Sequence, residues 1–490
     1  MTEYTTDTSK WSISIHRVSS STAEVWVGSL FPTLIKPKKA RVQLLENGSV
    51  IKTRNINTKS WKRPFRKTTQ RFCTTVEFSG LSESSEYTVR FERFVDPSEM
   101  TKPSGWMHLR SAYFKTLPSR IPTKSQVPFT IGLGSCFYNH RDGGQAAGAY
   151  QALYERGNDN VKPDVTFLTG DQVYLDIGFD SLSRRPEEIR QRIGDDYAAH
   201  WQALGGILNR GGTWMLPDDH EYWNDYPFHD SLIPQLLALK LSKVRKAWTD
   251  ASKDAVKNIQ RSPKVEFLKF GDDLSICLAD LRSYRSKSNF LPSKPFNELV
   301  NWAESLKGPG VLVIPQPLIV KTNNTERNLL SFKSQYKRLL EALGSSGHDI
   351  VVLSGDVHFG RIASCQLGNN GATLTEIISS PMSNLTYLNG IATSKSEHKP
   401  KKFPEEQVLP DSWAQVKVNY SKKLDVSTKK GFIFSAYPKT RTREHFMTIS
   451  CHRDGGKIKL NVQAWRVRER AGSKNLPKPE FSKAHTFSLS

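Results

Sequence analysis

The chain has 490 residues, too many for one typical domain, so two or three domains are expected. A hydrophobic fraction of 37% and an aromatic fraction of 10% exclude an intrinsically disordered protein, and no stretch approaches the roughly 18 apolar residues of a membrane-spanning helix. With 70 Lys and Arg against 48 Asp and Glu, the net charge is +22. That charge favours polyanionic partners, although a basic surface without a dedicated partner fits it equally well.

The cysteines are odd in number, widely spaced and without a C-x-x-C pair, which does not indicate a disulfide framework. They are Cys73, Cys136, Cys277, Cys365 and Cys451. The first residues carry neither the basic start and apolar stretch of a signal peptide nor a twin-Arg export signal. A cytoplasmic protein is therefore expected, unless the sequence is the mature form of an exported one. The oligomeric state is not set by these features.

Residues 1–118 have the pattern of a β-sandwich. Apolar and polar residues alternate at 23–27, 40–45 and 87–91, with turn residues between them. Gly80 and Leu81 followed by Tyr87 resemble the tyrosine corner of fibronectin- and immunoglobulin-like sandwiches. A basic stretch at 59–67 interleaves aromatic residues with Lys and Arg; contact with a polyanion and a solvated loop both remain open for it.

A proline-rich linker at 119–128 separates this region from a second one, 129–490, in which strands alternate with helices. Residues 393–430 are polar and lysine-rich and are predicted to form a surface insertion. A closing hairpin is expected around residues 454–456. The predicted strands lie at 164–169, 213–216, 274–280 and 373–378, and the predicted helices at about 144–156, 186–208, 232–259 and 332–343.

Four apolar runs in the second region end in side chains that can bind a metal. In an open α/β sheet, ligands bind just beyond the carboxyl ends of the strands, so these side chains are candidates for one shared site. The residues that follow the four runs are Cys136; Asp171, Tyr174 and Asp176; Asp218, Asp219, His220, Glu221, Asn224 and Asp225; and Asp356 and His358. Such a mixture suits two metals, because oxygen ligands favour Ca²⁺, Mg²⁺ or Mn²⁺ whereas thiolate and imidazole favour a transition metal.

Asp171 is the strongest single candidate for both metal binding and catalysis. A carboxylate can bridge two cations, and two-metal phosphoesterases need such a bridge. The alternative role for Asp171 is that of a capping residue for the segment that follows. The presence of the other three groups favours the metal ligand.

Four stretches of the sequence resemble, in order, the motif set of the alkaline phosphatase D (PhoD-like) family of metallophosphatases. They are Gly134-Ser-Cys136, Gly170-Asp-Gln-Val-Tyr-Leu-Asp176, Asp218-Asp-His-Glu-Tyr-Trp-Asn-Asp225 and Ser354-Gly-Asp-Val-His358. The segments 280–282 and 379–384 also resemble later family segments. The resemblance implies an α/β protein: a β-sandwich followed by a catalytic domain of the αββα type. It also implies hydrolysis of phosphate esters, as monoesters or diesters, by a metal-activated hydroxide.

The resemblance further implies a role for each candidate side chain. Ferric iron would be held by the thiolate, carboxylate, phenolate and imidazole, and a second ion, Ca²⁺ or else Mn²⁺, Mg²⁺ or Zn²⁺, by oxygen ligands. Either Asp218 or Asp219 could serve that second ion. The iron ligands implied are Cys136, Asp171, Tyr174 and His358, and the ligands of the second ion are Asp219, Asn224 and Asp356. His220 is better placed as a proton donor or transition-state stabiliser than as a ligand. Arg282 and Arg361 could bind the phosphate, although salt bridging is the commoner role of an arginine near such a site.

Two other functions fit the same sequence. The chain could be an inactive, polyanion-binding protein of the same fold, although its intact set of candidate ligands argues against a degenerate site. It could also be a phospholipase or nuclease that acts on a large anionic substrate. The segment 308–317 departs from the family pattern and leaves the preference for monoesters or diesters open.

Overall fold

The structure is a computed structural model of the chain. It describes residues 7–490, except for 68–69, 97–104, 178, 231–233, 323–326, 386–398, 412 and 422–442. Two antiparallel sheets form the N-terminal region, and two larger mixed sheets form the rest. Within the described residues, no helix is both long and apolar enough to cross a membrane.

Seven strands build the N-terminal region, in two antiparallel sheets of order β1-β2-β5 and β4-β3-β6-β7. These strands are β1 Ser12–Val18, β2 Thr22–Ser29, β3 Lys39–Glu46, β4 Ser49–Asn57, β5 Phe72–Ser79, β6 Glu86–Val95 and β7 Gly105–Lys115. The Trp11 ring lies 5.7 Å from that of Phe72 in the first sheet and 5.8 Å from that of Phe91 in the second. Aromatic side chains between the sheets therefore fill a common core.

Tyr87 contributes a polar contact at the edge of this core. Tyr87 lies in β6, and its ring stacks on that of Phe114 in β7. The hydroxyl oxygen of Tyr87 accepts a 3.0 Å hydrogen bond from the backbone N–H of Ser82. The contact ties the β6 strand to the turn that precedes it, which is the geometry that a tyrosine corner requires.

The second region contains two sheets of seven strands each. The first has the order β10-β9-β8-β20-β21-β22, with β23 also paired to β21, and the second has the order β11-β12-β13-β14-β16-β15-β19. A short pair, β17 and β18, stands apart. The strands are β8 Phe129–Gly134, β9 Val165–Thr169, β10 Gly212–Leu216, β11 Val265–Phe270, β12 Leu274–Ala279, β13 Gly310–Val313, β14 Ile350–Ser354, β15 Arg361–Gln366, β16 Thr373–Ile378, β17 Lys402–Phe403, β18 Val416–Lys417, β19 Asn419–Tyr420, β20 His445–Asp454, β21 Lys457–Ala471, β22 Leu476–Pro479 and β23 His485–Leu489.

Strands β8, β9 and β10 run parallel to one another, as do β12, β13, β14 and β16. Alternate side chains along each strand face opposite sides of its sheet. In β14, Val351 and Leu353 join a core shared by both sheets, while Ile350 and Val352 pack against the outer helices. The sheets therefore lie face to face between two outer layers of helices, in the αββα arrangement.

Helices α2, α3 and α4 cover the outer face of the first sheet, and α5 and α6 cover that of the second. The predicted helix at 232–259 is interrupted: a 3₁₀ segment, Pro234–Lys240, precedes α4, and a π-helical turn, Val256–Gln260, follows it. The helices are α1 Asn139–Asp142, α2 Gln145–Arg156, α3 Pro186–Leu208, α4 Ser242–Ala255, α5 Ser293–Glu304 and α6 Lys333–Ser345.

Only part of the predicted surface insertion at 393–430 lies within the described residues, namely 399–411 and 413–421. There Phe403, Val408 and Val418 are buried against the core beneath α6, and β19 pairs with β15. These residues belong to the folded edge of the second sheet. The lysines around them make the segment polar on average, so the sequence predicted an exposed insertion.

The N-terminal sheets pack firmly on the second region. Arg17 of β1 binds Glu266 of β11 at 2.8 Å, and Glu24 of β2 binds Arg261 at 2.7 Å. The predicted linker at 119–128 is also fixed to the second region, because Arg120 forms a 2.6 Å ion pair with Asp273, between β11 and β12. The predicted closing hairpin is present as β20 and β21.

Candidate metal centre

The carboxyl ends of parallel strands from both sheets meet at one edge of the sandwich. The approach is so close that a Cβ added to Gly355, after β14, would lie 2.6 Å from the carbonyl oxygen of Thr169 in β9. Gly170 has a φ of +97°, and a Cβ there would lie 2.6 Å from the Cβ of Asp218. Glycine at these two positions lets the strand ends come together.

Three groups of potential metal ligands lie at this edge, and within each group the ligand atoms are no more than 4.8 Å apart. Asp171 belongs to two of the groups, and Asp219 also belongs to two. A carboxylate common to two neighbouring groups is placed to bridge two cations. The groups are Cys136, Asp171 and His358; Asp171, Asp219 and His220; and Asp218, Asp219 and Asp356.

The backbone of this edge is unusual. Of the ten non-glycine residues with a positive φ in the described part of the chain, five lie at or beside the strand ends of the site. Such conformations cost free energy and persist where the surroundings enforce them, often at functional sites. The five are Cys136, Asp171, Asp225, Asp356 and His358.

Tyr174 lies beside the three residues of the first group, so all four predicted iron ligands are close together. The Sγ atom of Cys136 lies 3.5 Å from an Oδ2 atom of Asp171. The hydroxyl of Tyr174 lies 3.4 Å from the same oxygen and 3.3 Å from Nε2 of His358. A thiol, a carboxyl, a phenol and an imidazole thus converge on one point, as the sequence predicted.

Ser380, which follows β16, supports this group. Its hydroxyl lies 3.1 Å from the Cys136 sulfur and accepts a 3.0 Å hydrogen bond from the His358 backbone N–H. Burial raises the pKa of the Cys136 thiol to about 12, and the Asp356 carboxylate adds to the effect. The thiol would therefore lose its proton only against a bound cation.

Asp218 and Asp219, side by side after β10, have different partners. Asp218 forms a fully buried ion pair with Arg282. Asp219 accepts a 2.8 Å hydrogen bond at Oδ2 from the Asp225 backbone N–H, while its buried Oδ1 meets no hydrogen-bond donor among the described residues. Asp219 is therefore the better placed of the two to bind a cation.

Gln316 is a site residue that sequence reasoning missed. Its side-chain amide donates a 3.1 Å hydrogen bond to Oδ2 of Asp356, and its carbonyl accepts one of 2.7 Å from the buried Arg285. Gln316 lies in the segment 308–317, which departs from the family pattern and forms β13 and the turn after it. No local pattern marks it, because its partner is 40 residues away.

His220 and Asp176 form a buried pair, with Nδ1 2.7 Å from Oδ1. Burial lowers the pKa of His220, but the carboxylates of Asp176 and Asp219 outweigh it and raise that pKa to about 10. The His220 ring also lies against the Tyr174 ring, with 4.5 Å between centroids. His220 is thus held in a fixed orientation beside the first group.

Glu221, one of the carboxylates after the third run, has a role that the sequence did not assign. Its buried carboxylate accepts hydrogen bonds from the backbone N–H groups of Asp171 at 3.0 Å, Gln172 at 2.6 Å and Asp218 at 2.8 Å. It therefore ties the end of β9 to the end of β10. The spacing from Asp218 to Glu221 is that of a capping box, a sequence signal that could have identified it.

The three remaining predicted residues, Asn224, Arg282 and Arg361, differ in whether their partners belong to the site. The backbone N–H of Asn224 donates a 2.7 Å hydrogen bond to Asp176, which places Asn224 next to the His220 pair. Arg282 is within the site, where it pairs with Asp218. Arg361 instead forms a buried ion pair with Glu376 and donates to the Ile319 carbonyl, outside the three ligand groups.

The residues present fit a pair of metal ions. Burial raises the pKa of Asp171 well above its usual value, and Cys136, Asp219 and Asp218 raise it further. Crowded acids of this kind are stabilised by cations. Asp218 also has a buried Oδ2 that meets no donor among the described residues. The donor set, with one sulfur, two imidazoles and several oxygens, suits one transition metal and one hard cation.

Two solved structures resemble this chain closely in fold. The structure of PhoD aligns over 100% of this chain and 91% of its own, with 16% sequence identity and a TM-score of 0.62. A purple acid phosphatase, PPD1 from yellow lupin (Lupinus luteus) seeds, aligns over 98% of this chain and 73% of its own, with 9% identity and a TM-score of 0.55. No protein-family model and no curated protein matches the sequence. The chain thus shares the fold of these two phosphatases, which confirms the mixed α/β, PhoD-like fold expected from its motifs.

Proposed function

We propose that the protein is a metal-dependent phosphoesterase. The observation that carries the proposal is the sharing of Asp171 and Asp219 between adjacent ligand groups at the carboxyl edge of both sheets. PhoD and the lupin purple acid phosphatase, which share the fold, support the same reaction class. Bound cations would neutralise the phosphate oxygens and lower the pKa of a water molecule toward neutral.

Iron and calcium are the proposed pair of ions. The first would be held by Cys136, Asp171, Tyr174 and His358, since three anionic donors and a phenolate suit a trivalent ion. The second would be held by oxygen ligands, and Mn²⁺, Mg²⁺ or Zn²⁺ could replace Ca²⁺ there. Its proposed ligands are Asp171, Asp219, Asn224 and Asp356.

His220 is the proposed general acid. Its Nδ1 donates to Asp176, so Nε2 is the nitrogen from which a proton can pass to the leaving oxygen. The Asp176 carboxylate, which is not a proposed metal ligand, raises the pKa of the ring and favours its protonated form. Asp176 would thus act through His220, by fixing the tautomer and the orientation of the ring.

Arg282 is the better supported of the two proposed phosphate-binding arginines. It is buried among the acids of the site and pairs with Asp218. Arg361 already pairs with Glu376 and would have to exchange that partner to reach a phosphate. We therefore assign Arg282 the task of holding Asp218 and adding positive charge beside the ions.

The remainder of the chain supports the catalytic region. We propose two domains, a fibronectin- or immunoglobulin-like β-sandwich over 1–118 and a metallophosphatase domain over 129–490. The hydrogen bond at Tyr87 and the strand orders of the two N-terminal sheets favour this assignment. Every residue in the three ligand groups comes from the second domain.

Hydrolysis of chromogenic p-nitrophenyl phosphate and bis-p-nitrophenyl phosphate tests the proposed activity and its preference for monoesters or diesters. The protein reconstituted with Fe³⁺ and Ca²⁺ should cleave at least one of them, and Asp171→Ala loaded in the same way should cleave neither. Equal activity in the two proteins would contradict the proposal.

The identity of the first ion is tested by colour. A ferric ion bound by a phenolate absorbs visible light, so the wild type should be coloured and contain iron by elemental analysis. Tyr174→Phe should lose the visible band. A calcium chelator should abolish activity before it removes the colour. A colourless, iron-free and fully active wild type would rule out iron while leaving the two-metal site intact.

A further inference from the structure

The exposed side of α4 carries a stripe of lysines. Lys243, Lys246, Lys253 and Lys257 are all exposed, and their spacing puts them on one face of the helix. The opposite face is buried, with Trp248 in the core against α3. At about 1.5 Å per residue, the stripe is about 20 Å long.

The basic stretch at 59–67 lies beside this stripe. Arg66 donates to Asp254 of α4 through its backbone N–H and its Nε, both at 2.8 Å, and lies 3.9 Å from Asp250. Asn258 donates to the carbonyl of Pro64 at 2.7 Å. Residues almost 200 positions apart in sequence are therefore joined into one surface.

We define the basic surface as the four lysines of the stripe together with Arg63, Arg66 and Lys67, all of which are exposed. Three of the four lysines lie in α4 and Lys257 lies in the π-helical turn that continues it; together they are called the α4 lysines. The two acids beside it, Asp250 and Asp254, are engaged by Lys246 and Arg66. Seven cations thus face solvent against two carboxylates that are already paired. The basic surface retains a large excess of positive charge.

Two exposed leucines lie at the N-terminal end of this stripe. Leu237 is 44% exposed and Leu241 is 48% exposed, next to Lys240 and Lys243. The aromatic residues of the neighbouring loop, Trp61 and Phe65, are buried and cannot stack on bases. Exposed aliphatic side chains beside lysines suit the boundary between lipid headgroups and acyl chains, whereas nucleic acid would offer the leucines no partner.

We propose that the basic surface, with Leu237 and Leu241, docks the protein on an anionic lipid bilayer. The lysines would lie against the headgroups and the two leucines would enter the interface. Each lysine near such a surface strengthens binding by about fivefold, so the stripe as a whole contributes most of the attraction. This inference does not depend on the phosphoesterase proposal.

Co-sedimentation with vesicles tests the inference. The full-length protein should bind vesicles of phosphatidylcholine mixed with phosphatidylglycerol, and should not bind vesicles of phosphatidylcholine alone. Replacing the four α4 lysines by glutamine should weaken binding by about a hundredfold or more. Raising the salt from about 0.1 M to about 1 M should release the wild type, because the screening length falls to about 3 Å.

A matched control removes the same charge from the opposite side of the molecule. Lys287, Lys294, Lys307 and Lys333 are exposed and lie on or beside α5 and α6, across both sheets from α4. Their replacement by glutamine should leave vesicle binding within about threefold of wild type. Equal losses in the two quadruple variants would show that net charge, and not this surface, binds the lipid, and would overturn the proposal.

Variants of Leu237 and Leu241 distinguish binding to a membrane from binding to other polyanions. Leu237→Ser with Leu241→Ser should weaken vesicle binding by about tenfold, since two side chains lose their apolar contact. Val50→Ser with Ile51→Ser, an equally exposed apolar pair elsewhere, should have no effect. The proposal fails if the leucine variant binds vesicles like wild type, or if the wild type binds RNA and ignores the vesicles.

Discussion

Each of the two large sheets has beside it or within it a buried glutamate that accepts hydrogen bonds from the backbone N–H groups of a loop. Glu221, in the 3₁₀ turn that follows β10 of the first sheet, accepts from Asp171, Gln172, Val173 and Asp218. Burial raises its pKa to about 7, against the backbone hydrogen bonds that lower it. The loop that it holds carries the proposed bridging ligand.

In the second sheet, Glu376 of β16 accepts from Leu318 at 2.6 Å and Ile319 at 3.0 Å and forms an ion pair with Arg361. Its loop contributes apolar side chains to the core under α6. Both glutamates are fully buried, but only Glu376 has an arginine partner. They also differ in the loop they hold: one presents candidate metal ligands, and the other only closes the core.

The largest effect is expected for Asp171, which follows β9 of the first sheet and belongs to two of the ligand groups. Asp171→Ala should remove both metals and reduce turnover by more than about 10³-fold, because each cation contributes several kcal/mol. Asp356→Ala, in the second sheet, should empty mainly the second site and retain iron. Elemental analysis of both variants checks this. Two metals in Asp171→Ala would disprove the bridge.

The next largest effect concerns the proposed proton donor. His220→Ala should keep both metals and slow turnover by about 10²–10⁴-fold. Asp176→Asn should slow turnover less than His220→Ala, because it keeps the imidazole and removes only a carboxylate that raises the pKa of His220. The alkaline limb of the pH–rate profile should therefore move to lower pH in Asp176→Asn. Unchanged turnover in His220→Ala with metals bound would refute the role.

The two glutamates provide the sharpest test of the comparison between the sheets. Glu221→Gln should weaken metal binding by about 10–100-fold, as is typical for residues that orient metal ligands. Glu376→Gln should lower the free energy of unfolding and leave metal affinity unchanged. Calorimetric metal titration and denaturant unfolding of both variants measure the two effects. Equal metal affinities would show that Glu221 is only a structural anchor.

The smallest effect is expected at the opposite end of the first sheet. Asp164, just before β9, accepts a 2.8 Å hydrogen bond from the Thr130 backbone N–H, and burial raises its pKa to about 6. The folded state then holds this proton more tightly than the unfolded state, so stability falls as the pH rises from about 4 through about 6.

Replacing Asp164 by asparagine should remove this pH dependence of stability. Asp164→Asn should flatten this part of the pH dependence and gain about 2 kcal/mol at pH 8 relative to wild type. Unfolding by urea at several pH values measures the difference. Metal affinity should not change, because Asp164 lies at the far edge of the sheet from the site. Parallel pH curves for the two proteins would contradict the prediction.

The sequence by itself identified most of the strands and the residues at their ends. The runs that became β8, β9, β10 and β14 are short and apolar and end in polar residues, so they can be recognised locally. The rule that parallel strands present their carboxyl ends at one edge accounts for Cys136, Asp171 and Tyr174, which follow β8 and β9 of the first sheet. His358 follows β14 of the second sheet, so only the packing of the two sheets brings it to the others. The break before α4 was missed because the apolar pattern continues through Leu241.

Only the tertiary structure decided which partner each acid has. The sequence could not rank Asp218 and Asp219, and the distinction comes from Arg282, 64 residues away, which pairs with the first. Gln316 and Glu221 act in the same way, through contacts with residues distant in the chain. Such contacts depend on how two sheets meet. Local periodicity reports which face of a strand is buried, but it carries no information about the residue that packs against that face.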